Sequence, residues 1–293
     1  LKAIETRKLT KYYGRQPGIV DLDLTVEEGL IFGFIGPNGA GKSTTIRTLL
    51  NLIWPSRGSG QILGMDIIKQ SREIRLITGY VPAEVNYYGD MTVQALLKYS
   101  ASFYPGHPTR RLSHLVERFD LDPAKRIDQL SFGNKRKVAI IQALLHQPRL
   151  LILDEATSGL DPLMQNIFFE VIKEENERAT IFFSSHALGE VQKLCSQVAI
   201  IKQGRIIAVE NVDDLRRTLI KTITLEYESE NIPSLTLPGI ANSQRVGTHH
   251  KFMFNGKSKS LLEVLAKSPI NNVLIEEPSL EEVFLHYYRN EDE

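Results

Sequence analysis

Eight consecutive residues, Gly36-Pro37-Asn38-Gly39-Ala40-Gly41-Lys42-Ser43, carry the groups needed to grip a polyphosphate. Glycines let backbone N–H groups approach and wrap phosphate oxygens, because no Cβ stands in the way. A helix starting at Lys42 adds the partial positive charge of its N-terminus, worth roughly 0.3–1 kcal/mol at an exposed site. Lys42 supplies a full charge to the β- and γ-phosphates of a nucleotide, and the Ser43 hydroxyl is a ligand for Mg²⁺. The expected nucleotide-binding set is Gly36, Asn38, Gly39, Ala40, Gly41, Lys42, Ser43 and Thr44.

A second group complements the first. Leu150-Leu151-Ile152-Leu153 is an apolar run that ends in Asp154-Glu155. In a parallel α/β sheet, ligands gather at the carboxyl ends of strands, so these carboxylates belong near the phosphate loop. Asp154 can hold Mg²⁺, directly or through water, and Glu155 can orient and deprotonate an attacking water.

The elements that must position these residues follow from periodicity. Val20, Leu22, Leu24 and Val26 alternate with polar neighbours, as in a half-buried antiparallel strand. Residues 30–35 are nearly all apolar, as in a strand covered on both faces. The helix from Lys42 places Ile46, Leu49, Leu50 and Ile53 on one face, and Pro55, Gly58 and Gly60 end it. Residues 92–147 are mainly helical. Thr92 caps a helix with Leu96, Leu97 and Phe103. A second aligns Leu112, Leu115, Val116 and Phe119. A third starts after Ser131, carries Val138, Ile141, Leu144 and Leu145, and stops before Pro148. Residues 150–153, 180–184 and 198–202 return to buried strands. Composition shifts after Leu215-Arg216-Arg217. Beyond it, strands are expected at 222–227, 244–255 and 272–276, with helices at 259–267 and 280–288.

Composition narrows the class. The 293 residues suffice for one large α/β domain plus a small appendage. Lys plus Arg and Asp plus Glu both total 35, so no basic excess signals a nucleic-acid partner. The longest apolar runs fall short of the ~20 residues needed to span a bilayer. The start, Leu1-Lys2-Ala3-Ile4-Glu5, lacks the pattern of a secretion signal. One cysteine, Cys195, excludes a disulfide framework and a cysteine-cluster metal site, as expected of a cytosolic protein. Cys195 shares a helical face with Leu188, Val191 and Leu194 and reads as a buried thiol. His249 and His250 lie in an expected hairpin of the appendage, where adjacent residues of a strand point to opposite faces and are ill placed to share a metal. Lys135-Arg136-Lys137 and residues 173–178 read as solvated helix faces.

Leu130-Ser131-Phe132-Gly133-Asn134 resembles the LSGGQ motif that separates ABC ATPases from other P-loop proteins. The order also resembles that family: phosphate loop, helical insertion, LSGGQ-like motif, acidic strand. Ser158-Gly159-Leu160-Asp161 then resembles the D-loop and Ser184-Ser185-His186 the switch histidine, while Tyr12-Tyr13-Gly14 is similar to the A-loop. Together these cover residues 8–204. The fold implied is α/β, a RecA-like P-loop NTPase core with an antiparallel β subdomain and an inserted helical subdomain at about 85–147. The ABC ATPase domain spans 1–216, and a small C-terminal α+β appendage spans 217–293.

The resemblance implies ATP and Mg²⁺, with Lys42, Glu155 and His186 catalytic, and Ser43 and Asp154 on the metal. Tyr13 would stack on adenine. Two copies, most simply a homodimer, would sandwich ATP head to tail, with Ser131 and Gly133 acting on the partner's nucleotide and Asp161 linking the sites. A separate transmembrane permease would hold the protein peripherally on the inner face of the membrane. Pro278-Ser279-Leu280-Glu281-Glu282-Val283-Phe284 and residues 194–205 resemble ATPase subunits of ABC-2-type exporters of drugs, antibiotics, peptides or lipids. The alternatives are a soluble ABC ATPase acting on the ribosome or nucleic acid, and a low-turnover nucleotide sensor.

Two residues depart from the family pattern. After Gly79-Tyr80-Val81-Pro82 the family places a glutamine, and Ala83 stands there. Alanine can neither ligate Mg²⁺ nor bond the attacking water, so Glu84 or a water takes that place, or coupling runs differently. Phe132 stands where glycine is common, and its side chain is expected to face the helical subdomain.

Overall fold

The alternation of residues 20–26 and the apolar run after Gly29 define two sheets that share one core. In the computed structural model, residues 1–87, 89–104, 109–214, 221–229, 235, 237–256, 258–266 and 268–276 are described. They fall into two units, Leu1–Val212 and Asp213–Glu293.

The first sheet combines β1 (Lys2–Tyr13) and β2 (Gln16–Glu27) with two strands beyond β3 (Ile31–Ile35), namely β4 (Arg57–Ile62) and β5 (Met65–Asp66). Its order is β2-β1-β4-β5, antiparallel throughout. Gly58 and Gly60, expected only as helix breakers, lie within β4. Gly58 has φ 81°, and a Cβ there would sit 2.2 Å from the Lys8 carbonyl oxygen, so the bulged β1–β4 pairing admits no larger residue.

The helix after the phosphate loop, α1 (Lys42–Leu49), is shorter than expected. Asn51 adopts φ 52°, Leu52 N–H donates to the Arg47 carbonyl (2.8 Å) and Asn51 N–H to that of Thr48 (3.1 Å). That double bond around a left-handed residue closes the helix, leaving Ile53 outside it.

The second sheet contains β3, β6 (Thr78–Val81), β7 (Leu150–Asp154), β8 (Thr180–Ser185), β9 (Gln197–Lys202) and β10 (Arg205–Asn211), in the order β10-β9-β3-β8-β7-β6. All neighbours are parallel except β10. Every residue of β3, β7 and β8 is buried, including the polar ends Asp154, Thr180, Ser184 and Ser185, as in strands covered on both faces. The order sets the carboxyl ends of β3, β8, β7 and β6 side by side.

The helices are α2 (Ser71–Ile77), α3 (Val93–Ala101), α4 (Thr109–Arg118), α5 (Phe132–Leu144), α6 (Pro162–Asn176) and α7 (Leu188–Leu194). The Thr92 hydroxyl accepts from Ala95 N–H at 3.2 Å and caps α3 as expected. Phe103 falls beyond the end of α3, 61% exposed, with its ring edge-on to Tyr99 at 5.0 Å. Cys195 is buried, and burial pushes its thiol pKa up.

Residues 173–178 are not wholly solvated. Glu175 is buried on α6 and accepts from Arg111 Nη2 at 2.5 Å, on α4, and from Arg178 Nη2 at 2.6 Å. Replacing Glu175 by glutamine removes the charge that two arginines share. The expected cost is ~3 kcal/mol, the low end for breaking a buried pair because Arg178 keeps solvent contact, and urea unfolding measures it.

The second unit is a sheet of β11 (Lys221–Tyr227), β12 (Ile240–Val246), β13 (His249–Phe254) and β14 (Ile270–Glu276), ordered β12-β13-β11-β14, with α8 (Ser258–Leu265). Ile223, Leu225, Tyr227, Phe252 and Phe254 pack with Leu261 and Leu265 of α8. Residues 244–255 form the hairpin expected around His249-His250, because Gly247 at φ 57° turns the chain and Val246 pairs with His249. His249 is exposed and His250 buried, on opposite faces. Residues 215–217, the segment 278–284 and the helix expected over 280–288 lie outside the described residues, as does the expected domain boundary at 216.

Candidate active site

The turn from β3 into α1 is shaped by residues that tolerate no side chain. Gly39 and Gly41 have φ 79° and 111°. A Cβ on Gly36 would sit 2.3 Å from the Ile201 carbonyl oxygen. No side chain caps α1, so its first-turn N–H groups remain for an anion. Lys42, 5% exposed, donates through Nζ to the carbonyls of Gly36 (2.7 Å) and Pro37 (3.2 Å). Its ammonium is thus held inside the loop. Asn38 and Gly39 are exposed, Ser43 and Thr44 are half-buried, and Ala40 N–H donates to Pro37.

At the end of β7, two strands from β3, Asp154 is completely buried. Its Oδ1 accepts from Ser184 Oγ at 2.6 Å, across the β7–β8 register, while Oδ2 has no hydrogen-bond partner. A buried carboxylate oxygen without a partner is costly unless a cation or donor meets it. Among the described residues no group of three His, Cys, Asp or Glu side chains could hold a metal. The unpartnered Asp154 Oδ2 and the Ser43 hydroxyl are the oxygen donors that suit Mg²⁺, which takes most of its ligands from phosphate and water and would neutralise phosphate charge there.

Glu155 follows with φ 49°, a strained conformation for a residue with a side chain. Its N–H donates to the Ser184 carbonyl at 3.1 Å. Its carboxylate lies 3.3 Å from Lys42 Nζ and 3.4 Å from His186 Nδ1, at the end of β8. Lys42, Glu155 and His186 thus converge as their motifs implied. Ser184, which orients Asp154, was absent from the expected set. A serine closing an apolar strand next to the acidic one was the available signal.

The remaining residues are placed as follows. Tyr13 is half-exposed beside α1, since a Cβ on Gly18 would lie 2.9 Å from its ring and 3.0 Å from Thr44 Cγ2. Ser131 Oγ accepts from Asn134 N–H at 3.3 Å and caps α5, with Gly133 in its first turn. Asp161 Oδ1 accepts from Met164 N–H at 3.0 Å and caps α6. Glu84 is exposed.

Two expectations are corrected here. Phe132 does not face the helical subdomain alone. Its ring lies 5.4 Å from the Arg136 guanidinium of α5 and also against Gly159, where a Cβ would come within 2.3 Å of Phe132 Cδ1. Nor do Lys135-Arg136-Lys137 form a solvated face, because Arg136 is completely buried and Lys137 nearly so. Arg136 donates to the carbonyls of Pro82 and Ala83, acceptors that the helix pattern alone does not reveal.

A backbone loop that grips phosphate, facing a carboxylate two strands away, is the working arrangement of P-loop nucleoside triphosphatases, and this fold is of that class. The ABC transporter family matches residues 19–158. The chain is 36% identical to the bacitracin transport ATP-binding protein BcrA of Bacillus licheniformis, covering 78% of this chain and 76% of that protein. It is 30% identical to the linearmycin resistance ATP-binding protein LnrL of Bacillus subtilis, with 97% of both covered. A solved structure described as the ATP binding subunit of an ABC transporter superposes with TM-score 0.69 at 32% identity, over 73% of this chain and 92% of that one. The dimeric bacterial ABC transporter cassette MJ0796, at 22% identity and TM-score 0.67, shares the fold. The chain belongs to the ATP-binding proteins of ABC transporters and is an ATPase.

Proposed function

We propose that this ATPase powers a separate membrane permease that exports a drug, antibiotic, peptide or lipid. Relatives named for bacitracin transport, linearmycin resistance and Nod factor export support that cargo class. Among the described residues no helix is long and apolar enough to cross a membrane. The partner would supply the pathway and hold the chain at the membrane.

The observation that carries this proposal is a groove of about 360 Å³ between β6, α3 and α5, of mixed apolar and polar lining that includes Arg75 and Gln142. Leu52 and Phe103, 52% and 61% exposed, line it together with Tyr80, Tyr104 and His146. His146 stacks on Tyr104 at 3.9 Å, and burial pulls its pKa down to about 4, so the imidazole stays uncharged near neutral pH. β6 is the neighbour of β7, which bears Asp154, so a segment seated here presses on the catalytic edge. Phe103→Asp is expected to abolish co-purification of the permease from membranes and its effect on turnover, leaving basal ATPase activity within two-fold. Retained capture of the permease by this variant would overturn the docking assignment.

ATP would be sandwiched with Mg²⁺ in a head-to-tail homodimer. Ser131 and Gly133 would meet the γ-phosphate bound by the partner copy, and Asp161 would join the two sites. The exposed start of α5 supports this arrangement, since Ser131 caps only the Asn134 N–H of a first turn that faces solvent. Tyr13, half-exposed beside Thr44, would stack on adenine. Tyr13→Ala is expected to weaken ATP binding about ten-fold, within the ~1–3 kcal/mol of base–aromatic stacking, as titration with a fluorescent ATP analogue would measure.

A further inference from the structure

Arg136 heads the fully buried side chains of the described residues. Its terminal nitrogens donate to two consecutive backbone carbonyls, Pro82 and Ala83, the second at 2.5 Å. Those acceptors are the exit of β6, beside the end of β7. Four residues earlier on the same helix, Phe132 places its ring 5.4 Å from the guanidinium carbon. The same ring also meets Gly159, in the loop that begins at Glu155 and ends at Asp161. Gly133 also abuts this loop, since a Cβ there would lie 2.5 Å from the Gly159 oxygen.

A buried cation whose hydrogen bonds go to carbonyls is an expensive way to fill space. An aliphatic side chain of similar length would pack there at less cost, but it would leave both carbonyls unpaired and could not stack as a cation on Phe132. The planar fork suits two acceptors presented side by side, because its N–H groups are held at a fixed angle that a flexible ammonium does not pre-organise. Burial lowers the guanidinium pKa, while the carboxylates of Asp154 and Glu155 oppose that shift.

We propose that Arg136 is a positioning residue for ATP hydrolysis. Its fork on residues 82–83 and its stack on Phe132 join the β6 exit, the start of α5 and the 155–161 loop into one mechanical unit. That unit sets where Glu155 stands relative to the phosphate loop. It acts on turnover and leaves nucleotide binding to the loop around Lys42. The proposal rests on Glu155 being the base that activates water.

The test compares MgATP hydrolysis by the full chain with Arg136→Gln, Arg136→Lys, Phe132→Leu, the Arg136→Gln/Phe132→Leu pair, and Glu155→Gln as reference. Arg136→Gln is expected to lower kcat at least ten-fold with KM and ATP affinity within two-fold. Arg136→Lys, keeping one carbonyl bond and the charge, should recover to within about three-fold of the unaltered chain. Phe132 is 55% exposed, so its leucine variant folds without cost to the core and should lose kcat alone. Because both residues act in one unit, the pair should be no slower than the slower single variant. Unchanged kcat in Arg136→Gln, or losses that multiply in the pair, overturns the proposal. A fall in ATP affinity matching the fall in kcat also overturns it, since that marks a structural role. Should Arg136→Gln fail to fold, Phe132→Leu with unchanged kcat decides against the proposal. Full turnover by Glu155→Gln would instead strike the assignment of the base.

Discussion

Glu155→Gln is expected to bind MgATP within two- or three-fold of the unaltered chain and to hydrolyse it ~10²–10⁴-fold more slowly, the span that general-base catalysis contributes. Glutamine has the same shape and the same backbone demands. The φ of 49° and the N–H bond to Ser184 therefore persist, and the loss isolates the chemistry of the carboxylate. The carboxylate now lies between Lys42 Nζ at 3.3 Å and His186 Nδ1 at 3.4 Å. A bound γ-phosphate would compete with Glu155 for Lys42 and leave one oxygen of Glu155 for water. A neutral amide removes that competition, so the variant should hold ATP longer. In the proposed homodimer it should accumulate a closed species, visible as an ATP-dependent shift in size-exclusion chromatography. Turnover within three-fold of the unaltered chain would sink the base assignment.

Lys42→Ala is expected to abolish measurable turnover and to weaken ATP binding at the same time. Removing one fixed donor from a developing negative charge commonly costs ~10²–10³-fold in rate, and here a full charge goes with it. Lys42 also ties the Gly36 and Pro37 carbonyls together from inside the loop, so its removal loosens the cradle as well as discharging it. Lys42→Arg should not restore activity. The site is 5% exposed and shaped around a compact ammonium, and a guanidinium needs more room and a different angle. Phosphate release and nucleotide titration on the same preparations separate the two variants. Glu155→Gln loses rate only, whereas Lys42→Ala loses both. A Lys42→Ala chain that binds ATP normally would show that backbone N–H groups alone carry affinity.

The phosphate loop, the acidic strand end and the capped starts of α3 and α5 were legible because each depends on residues a few positions apart. Glycine spacing, an apolar run and a hydroxyl before a helix act through local backbone geometry. The order of those motifs along the chain was enough to place them in one family. What depended on distant partners was not legible. The antiparallel pairing of β1 with β4 needs a bulge and the bare Gly58 against Lys8, a residue fifty positions earlier in the sequence. Glu175 looked solvated until α4 brought Arg111 to it, and Ser184 meets Asp154 only through strand order.

Arg136 marks the same division most sharply. In the sequence it sits between two lysines on a helix, and a charged run on a helix ordinarily faces water. The sheet puts the carbonyls of residues 82 and 83 against that face, so burial and bonding replace hydration. By itself the sequence determined which chemistry this protein performs, because the reactive groups are carried by short motifs. Only the tertiary structure decided how the segments around those motifs are tied to one another, because hydrogen bonds between distant backbone and side-chain groups exist only once the sheet has assembled.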